Sequence, residues 1–526
     1  MGQLQQPGIG KVYLVGAGPG DPRLLTLRGR ECLATADTVL YDYLVNPRLL
    51  EHCRDDATRI CLGRHGRTRI WTQPEVNAKL VELALSGQRV VRLKCGDPIV
   101  FARGAEEAEA LETHGIPVEI VPGVTSALAA AACAGIPLTH REHASAVALV
   151  TGHERDGKVE ELDFARLAHF PGTLAIYMGV TTAGVWTTAL MEGGLPADTP
   201  AALVRRVSYC DQQTWCCTLE TLAEHIADHK VRPPVIAIIG PAAEQKHALR
   251  WFEQRPLFGQ RVLVTRPRQQ ALDLIGKLEE FGAETLLQPT IEIQPPETWE
   301  DVDASIAKLV RPGWDWVVFS SANGVAAWMD RLLEHGDVRQ LAGAKLAAVG
   351  SATAAALRAY RLEADLVPEQ YHAEGMSNAI LQASLHNSHP ARVLLVRASR
   401  GRDVLRETLT AAGMEVEQVT AYQSVDVEAA DPEVVDALSD GSPTWVTVTS
   451  SAIARSLDRL LGDRLGAARL ASISPITSAT LRELGYEPTV EAEPHTMDGL
   501  LDAIVAGSRG AATDVDRERD QQRDRE

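Results

Sequence analysis

Three short stretches near the N-terminus carry residues that could do chemistry. "KVYLVGAGPGD" breaks an apolar run into Gly16, Gly18 and Gly20. "VLYDYL" ends another apolar run on Asp42, and "VVRLKCGDP" ends a third on Cys95, Gly96 and Asp97. A glycine loop after a strand is either a tight turn or the cradle of a ligand. A dinucleotide loop needs a third glycine at its sixth position so that the following helix can press on the strand. Here that position is Asp21, followed by Pro22, which argues against a nicotinamide dehydrogenase.

Basic residues gather nearby: Arg64, His65, Arg67 and Arg69 in "GRHGRTR", then Lys94, Arg103, His140, Arg141 and His143. On a chain of net charge -18, such a cluster is either a solvated face or a receptor for a ligand with several carboxylates. The acidic balance excludes a general nucleic-acid or anionic-membrane binder.

Farther along, "SSAN", "GSAT", "SSA" and "PITSAT" each read as a turn from a strand into a helix, and Arg266, Arg268, Arg397, Arg400, Arg402 and Arg406 add positive charge. Helix N-termini offer free N–H groups, so these turns are either ordinary N-caps or carboxylate receptors. A binding or sensor module without turnover would carry the same features.

The elements that must position these groups alternate strand and helix from Lys11 to Gly240, the pattern of an α/β protein with largely parallel sheets. In such sheets the carboxyl ends of strands line the ligand crevice, which would bring the glycine loop, Asp42 and the Gly96 turn into one site. The uncharged stretch from Ile120 to Thr139 reads as a buried helix with breakers at both ends. A helix-like connector then leads to a new strand at "RVLVTRP", placing a boundary near residue 255.

The second half repeats itself. "RVLVTRPRQQALDLIGKLEEFGAE" from Arg261 is echoed by "RVLLVRASRGRDVLRETLTAAGME" from Arg392, "VFSSANGVAAWMDRL" by "VTSSAIARSLDRL", and "KLAAVGSATAAAL" by "RLASISPITSATL". Two similar α/β lobes facing a cleft follow from this duplication. All eight cysteines lie in the first half, without CxxC or Cys/His metal spacing, and read as reduced apolar residues. No secretion signal opens the chain, so a cytoplasmic location is expected. The tail over 509–526 is charged, and disorder is expected there.

The set "VYLVGAGPGDPRLLTLRG", "VLYDYLV", "VVRLKCGDPIVFARG", "VPGVTSALAAAACAGIPLTHR", "VALVTGH" and "LAIYMG" resembles uroporphyrinogen-III C-methyltransferases of the tetrapyrrole methylase family. The resemblance implies a two-lobed methylase fold over 1–250 and a homodimer formed through it. It also implies S-adenosyl-L-methionine as cofactor, and two methyl transfers that turn uroporphyrinogen III into precorrin-2, toward sirohaem or cobalamin-type rings. It assigns cofactor contacts to Pro19, Cys95, Gly96, Asp97, Val100, Thr125, Ser126, Met178 and Val207, proton acceptance to Asp42, and substrate contacts to Arg67, Lys94 and Arg141. Arg64 occupies the place of a lysine proposed as proton donor; arginine holds its proton, so it would orient substrate rather than act as an acid. That change leaves open a methylase acting on a different tetrapyrrole, or a methylase half of reduced activity.

After a linker over 251–258, residues 259–508 resemble uroporphyrinogen-III synthases through "VLVTRP", "VFSSANGV", "AAVGSATAAAL", "VTAYQS" and "PHTMDGLL". This implies a bilobal α/β fold, with one lobe over roughly 291–423, that closes hydroxymethylbilane to uroporphyrinogen III. Tyr422 and Thr477 would assist loss of the leaving hydroxyl, with Ser320, Ser321, Asn323 and Arg397 binding substrate.

Overall fold

The computed structural model describes residues 8–63, 69–153, 162–244, 250–309, 313–370, 372–385, 389–401, 403–441, 444–466 and 468–509. Arg64, Arg67, Arg402 and the tail beyond Arg509 therefore lie outside the described residues. The chain divides into two compact units, Met1–Gln260 with Glu280–Glu284, and Arg261–Glu279 with Thr285–Glu526.

The first unit holds two sheets. One consists of β1 (Lys11–Gly16), β2 (Thr38–Tyr41), β3 (Thr58–Cys61), β4 (Arg89–Lys94) and β5 (Val118–Val121), in the order β3-β2-β4-β1-β5. Every neighbouring pair in it is parallel. β1 and β4 are central and buried on both faces, which is why they read as near-continuous runs of Val and Leu.

The other sheet consists of β6 (Val147–Thr151), β7 (Thr173–Tyr177), β8 (Pro200–Arg205), β9 (Gln213–Thr218) and β10 (Val235–Ile239), in the order β6-β7-β10-β8-β9. Here the expectation of largely parallel sheets fails. Only β6 and β7 run parallel, and the other three pairs are antiparallel. The segment between β8 and β9 is too short for the crossover of roughly a dozen residues that a parallel pair needs, so the chain turns back as a hairpin.

The Ala-rich stretch forms a buried helix, Ser126–Ala134, which Gly135 ends with a left-handed backbone (φ 70°). Among the described residues no helix is long and apolar enough to cross a membrane. Residues 250–259 form consecutive turns rather than the expected helix-like linker, and they are packed into the first unit. Phe252 and Leu257 are fully buried, Trp251 Nε1 donates to the Ala132 carbonyl at 3.0 Å, and Glu253 accepts from Gln212 and Thr214. Aromatic anchors of this kind remove the freedom of a linker.

The second unit also has two sheets. β11 (Arg261–Val264), β12 (Glu284–Leu287), β13 (Ile291–Gln294), β14 (Trp316–Phe319), β15 (Lys345–Ala348), β16 (Arg392–Ala398), β17 (Glu415–Asp426), β18 (Trp445–Val448), β19 (Arg469–Ser472) and β20 (Val490–Glu491) follow in sequence. They pair as β12-β11-β18-β19-β20 and β13-β17-β16-β14-β15. The duplication is visible in side-chain contacts as well. The Trp316 indole donates to Ser384 beneath the Lys345 ammonium, and the Trp445 indole donates to Ser508 beneath the Arg469 guanidinium. Tyr360 donates to Asp330 at 2.6 Å, and Tyr486 to Asp458 at 2.8 Å.

Yet the repeats and the sheets do not coincide. The opening strands of the first repeat share a sheet with the closing strands of the second, while β14 to β17 take the remaining halves. The chain crosses between sheets along β13 and the end of β17, an antiparallel ribbon pairing Ile291–Gln294 with Asp426–Gln423. The last helix covers 497–509, so Arg509 is helical where disorder was expected.

Candidate active sites

At the carboxyl ends of β1, β4 and β5 three loops close on one another. Gly18 and Gly96 exchange backbone hydrogen bonds at 3.1 and 2.8 Å. A Cβ on Gly16 would stand 2.5 Å from the Gly123 Cα, and one on Gly123 would stand 2.2 Å from the Gly96 carbonyl oxygen. Only bare backbone fits there. Asp97 locks the arrangement: its Oδ1 accepts from the Ile99 amide at 2.8 Å and its Oδ2 from the Gly123 amide at 3.0 Å. Pro19 is buried behind Gly18, and Cys95 is half-buried with its Sγ 3.9 Å from the Gly18 carbonyl. Burial pushes the Cys95 thiol up to about 12, so it is neutral at physiological pH.

Asp21 answers the question of the missing glycine. Its Oδ1 accepts from the backbone and the Nε of Arg23, and its Oδ2 from Nη2 at 2.7 Å, capping a turn of 3-10 helix. Loops of the second sheet reach this corner. The Asp21 amide donates to Ser208 Oγ at 2.9 Å, and a Cβ on Gly20 would stand 2.5 Å from the Tyr209 ring and 2.8 Å from the Val207 carbonyl. Gly20 is what allows the buried Val207 to sit so close.

On the other side, Thr125, which precedes the helix Ser126–Ala134, bonds the Tyr177 hydroxyl at 2.6 Å, and that hydroxyl also accepts from the Ala127 amide. Tyr177 ends β7 and brings the following Met178 into the region, half exposed. Val100 is partly buried against the cluster that holds Tyr177 and Val207. Of the seven described non-glycine residues with positive φ, five are Phe101, Arg103, Met178, Arg206 and Ser208; the others are Lys230 and Arg361. Left-handed backbone at such residues costs roughly 1 to 3 kcal/mol each and gathers where a site dictates the loop.

Asp42 follows β2 and is partly exposed, with Oδ1 accepting from Arg92 Nη2 at 2.5 Å. Arg92 and Lys94 are alternate residues of β4, and both point at the fully buried Glu107. Glu107 Oε1 accepts from Arg92 Nε at 3.1 Å, Lys94 Nζ at 2.7 Å and Gln73 Nε2 at 3.2 Å, while Oε2 has no partner among the described residues. Burial pulls the Arg92 pKa down, but Asp42 and Glu107 outweigh it and the net direction is up. The Lys94 pKa is lowered, first by burial and then by the adjacent Arg92 charge, against the pull of Glu107.

Lys94 therefore corrects an expectation. Its side chain is 3% exposed, and its charge neutralises Glu107 instead of standing open to a substrate. Arg141 and His143 are exposed and His140 is half-buried. Arg92 and Glu107 were not singled out from the sequence, although "VVRLK" carried a signal: charges inside an apolar central strand must be paired.

In the second unit several groups at the strand ends are neutral hydroxyls and amides. Ser321 caps the helix Ala322–His335, accepting from the Gly324 amide at 3.1 Å, and its hydroxyl lies 3.0 Å from the Tyr422 hydroxyl. Ser320 Oγ donates to the Val396 carbonyl, and Asn323 Oδ1 accepts from Gln270 Nε2 at 2.6 Å across the two sheets. Thr477 is 2% exposed in the first turn of the helix Pro475–Glu483; its hydroxyl bonds Ser474, the cap residue. Arg397 donates to Asp403 at 2.8 Å and to Gln418 at 3.2 Å. Like Lys94, it is an internally compensated cation rather than the open receptor expected of it.

Comparison with known proteins agrees with this division. The family of tetrapyrrole (corrin/porphyrin) methylases matches residues 11–223, and that of uroporphyrinogen-III synthase HemD matches residues 273–502. The porphyrin biosynthesis protein HemD of Ruminiclostridium josui is 32% identical over 498 residues, covering 94% of this chain and 98% of that protein. The siroheme synthase of Stutzerimonas stutzeri (strain A1501) is 47% identical over 245 residues, 47% of this chain. The match takes in 52% of that protein, so the chain spans about half the length of the siroheme synthases it resembles. Among solved structures, a uroporphyrin-III C-methyl transferase from Thermus thermophilus complexed with S-adenyl homocysteine is 40% identical, covering 44% of this chain and 98% of that one, with a TM-score of 0.39.

Proposed function

We propose the activities of this chain from one premise: it belongs to the family of the porphyrin biosynthesis protein HemD of Ruminiclostridium josui, with a tetrapyrrole methylase segment followed by a uroporphyrinogen-III synthase segment. It is a bifunctional enzyme of tetrapyrrole biosynthesis. The second half closes hydroxymethylbilane to uroporphyrinogen III, and the first half methylates that product twice, to precorrin-2. The observation that carries this reading is the presence of both family segments on one chain, because the product of one reaction is the substrate of the other.

The expected cofactor contacts fit S-adenosyl-L-methionine by their chemistry. Pro19, Cys95, Gly96, Val100, Thr125, Ser126, Met178 and Val207 bring backbone, hydroxyl and apolar groups but no cation; of the nearby carboxylates, Asp21 and Asp42 are paired with Arg23 and Arg92, and Asp97 accepts from backbone amides. A lining without a cation of its own suits a cationic sulfonium better than a pyrophosphate. When bound, the cofactor supplies an electrophilic methyl group. Methylation leaves the ring system cationic, and Asp42 accepts the proton that the ring system then loses, while Arg92 fixes the orientation of its carboxylate. Arg141 is a carboxylate receptor at the surface, and Arg64 and Arg67 share that role from outside the described residues.

In the synthase half, Tyr422 and Ser321 share one hydrogen bond, so either hydroxyl can lend a proton to a departing hydroxyl. Thr477, Ser320 and Asn323 hold the flexible chain in one productive shape. A homodimer through the first unit belongs to this reading and is checked by light scattering. A cytoplasmic location does too, and it fits eight cysteines that are all free thiols.

The test supplies the purified chain, without oxygen, with hydroxymethylbilane, with and without S-adenosyl-L-methionine, and identifies products by mass and isomer type. Dimethylated type III product with the cofactor, and unmethylated type III product without it, is the expected result. Type III product that stays unmethylated in both cases overturns the methylase assignment, and type I product alone overturns the synthase assignment.

A further inference from the structure

The internal duplication places two arginines in matching positions with opposite fates. Arg266 follows Arg261 by the same interval as Arg397 follows Arg392, at the ends of β11 and β16. Arg397 is compensated by Asp403 at 2.8 Å. Arg266 has no carboxylate in contact among the described residues. Its Nη1 faces the Met497 sulfur at 2.9 Å, its Nη2 donates to the Gln270 amide oxygen at 3.1 Å, and its Nε is buried without an acceptor. A thioether is a weak acceptor and an amide oxygen a neutral one. Burial works against the charge here, with Asp273 opposing only through space, yet arginine stays protonated. A half-buried cation with two weak contacts and one empty donor is short of an anion.

Its position indicates where the anion comes from. Arg266 lies beyond the carboxyl end of β11, and its partner Gln270 donates to Asn323 on the helix that follows β14 in the other sheet. The guanidinium is thus one residue removed from the seam between the two sheets.

We propose that Arg266 is a carboxylate receptor of the synthase half, which takes one carboxylate side chain of the linear tetrapyrrole on its half-buried guanidinium. The proposal rests on the reading that this half binds hydroxymethylbilane. Its partner Arg397 needs no such ligand, because Asp403 already fills that place.

The test measures initial rates of type III formation by the full chain, without oxygen, for Arg266→Met and Arg266→Lys at several salt concentrations. Arg266→Met should raise KM by about 10- to 100-fold, the range of a lost charge-assisted pair, with kcat within about threefold. It should also flatten the rise of KM with salt. Arg266→Lys keeps the charge but loses the fork, so KM should rise by less and keep its salt dependence. If the methionine variant does not fold, the lysine variant carries the test alone. An unchanged KM in the folded variants, or a fall in kcat at constant KM, overturns the proposal while leaving the synthase reading in place. Wild-type chain that yields type I product alone removes the synthase reading itself, and the proposal with it.

Discussion

The first unit surrounds Asp42 with buried ions, Arg92, Glu107 and Lys94, whereas the second unit lines its strand ends with Ser321, Tyr422, Ser474 and Thr477, which bond one another. Methyl transfer to a ring carbon leaves a proton that a particular group must take, and such a group needs a fixed orientation. Buried charges supply that rigidity, at a desolvation cost that only full pairing offsets. Ring closure of a linear tetrapyrrole instead asks for one shape among many, and neutral donors spread over two sheets can hold it. On the roles proposed for Asp42 and for the synthase hydroxyls, the difference in side chains follows the difference in chemistry.

The sharpest way to break this comparison is Asp42→Asn. Methylation should fall by about 100- to 10,000-fold while type III formation is unchanged; assays of both products from one preparation decide it, and an equal loss in both halves would dissolve the distinction. Glu107→Ala comes next. It leaves Arg92 and Lys94 without their buried counter-charge and should cost the first unit about 3 to 5 kcal/mol, with the unfolding of the second unit unmoved. Calorimetry that resolves the two transitions measures it, and Glu107→Gln should cost less.

A smaller effect is expected in the second unit. Tyr422→Phe removes one neutral hydrogen bond, worth about 1 kcal/mol, so type III formation should fall by about fivefold and not by orders of magnitude. A loss of a thousandfold would make Tyr422 a required acid and erase the contrast.

Acid should produce the mildest change. Hydrogen bonds from Arg28 and then Lys11 hold the Glu119 carboxyl at about 2, below its ordinary 4.5. A depressed carboxylate contributes stability above the ordinary value and loses it as pH falls through the folded one. The first unit should therefore weaken between pH 4.5 and 2. Glu119→Gln should flatten that limb of its melting-temperature profile without touching the second unit.

Much of this was legible in the sequence because local physics dictates it. Gly18 and Gly96, both at positive φ, mark left-handed backbone that glycine adopts without strain, and the serines at strand ends cap the helices their positions announce. Other parts were not legible. "VVRLK" gave no partner for its charges, since Glu107 comes from a helix that only the fold brings beneath β4. The antiparallel run of β7, β10, β8 and β9 was hidden because hydrophobic runs do not state strand direction. Residues 250–259 looked like a connector because their anchors, Trp251, Phe252 and Leu257, act through distant neighbours.

The sequence by itself determined the α/β class, the two family segments, the duplication and the glycine loop with its Asp21, all of which depend on periodicity, backbone freedom and order along the chain. Only the tertiary structure decided which charges are available. It closed Lys94 and Arg397 inside ion pairs, left Arg266 without an anion among the described residues, and split each repeat between two sheets. The reason is physical: burial and pairing set the worth of a charge, and both depend on residues far apart in the chain.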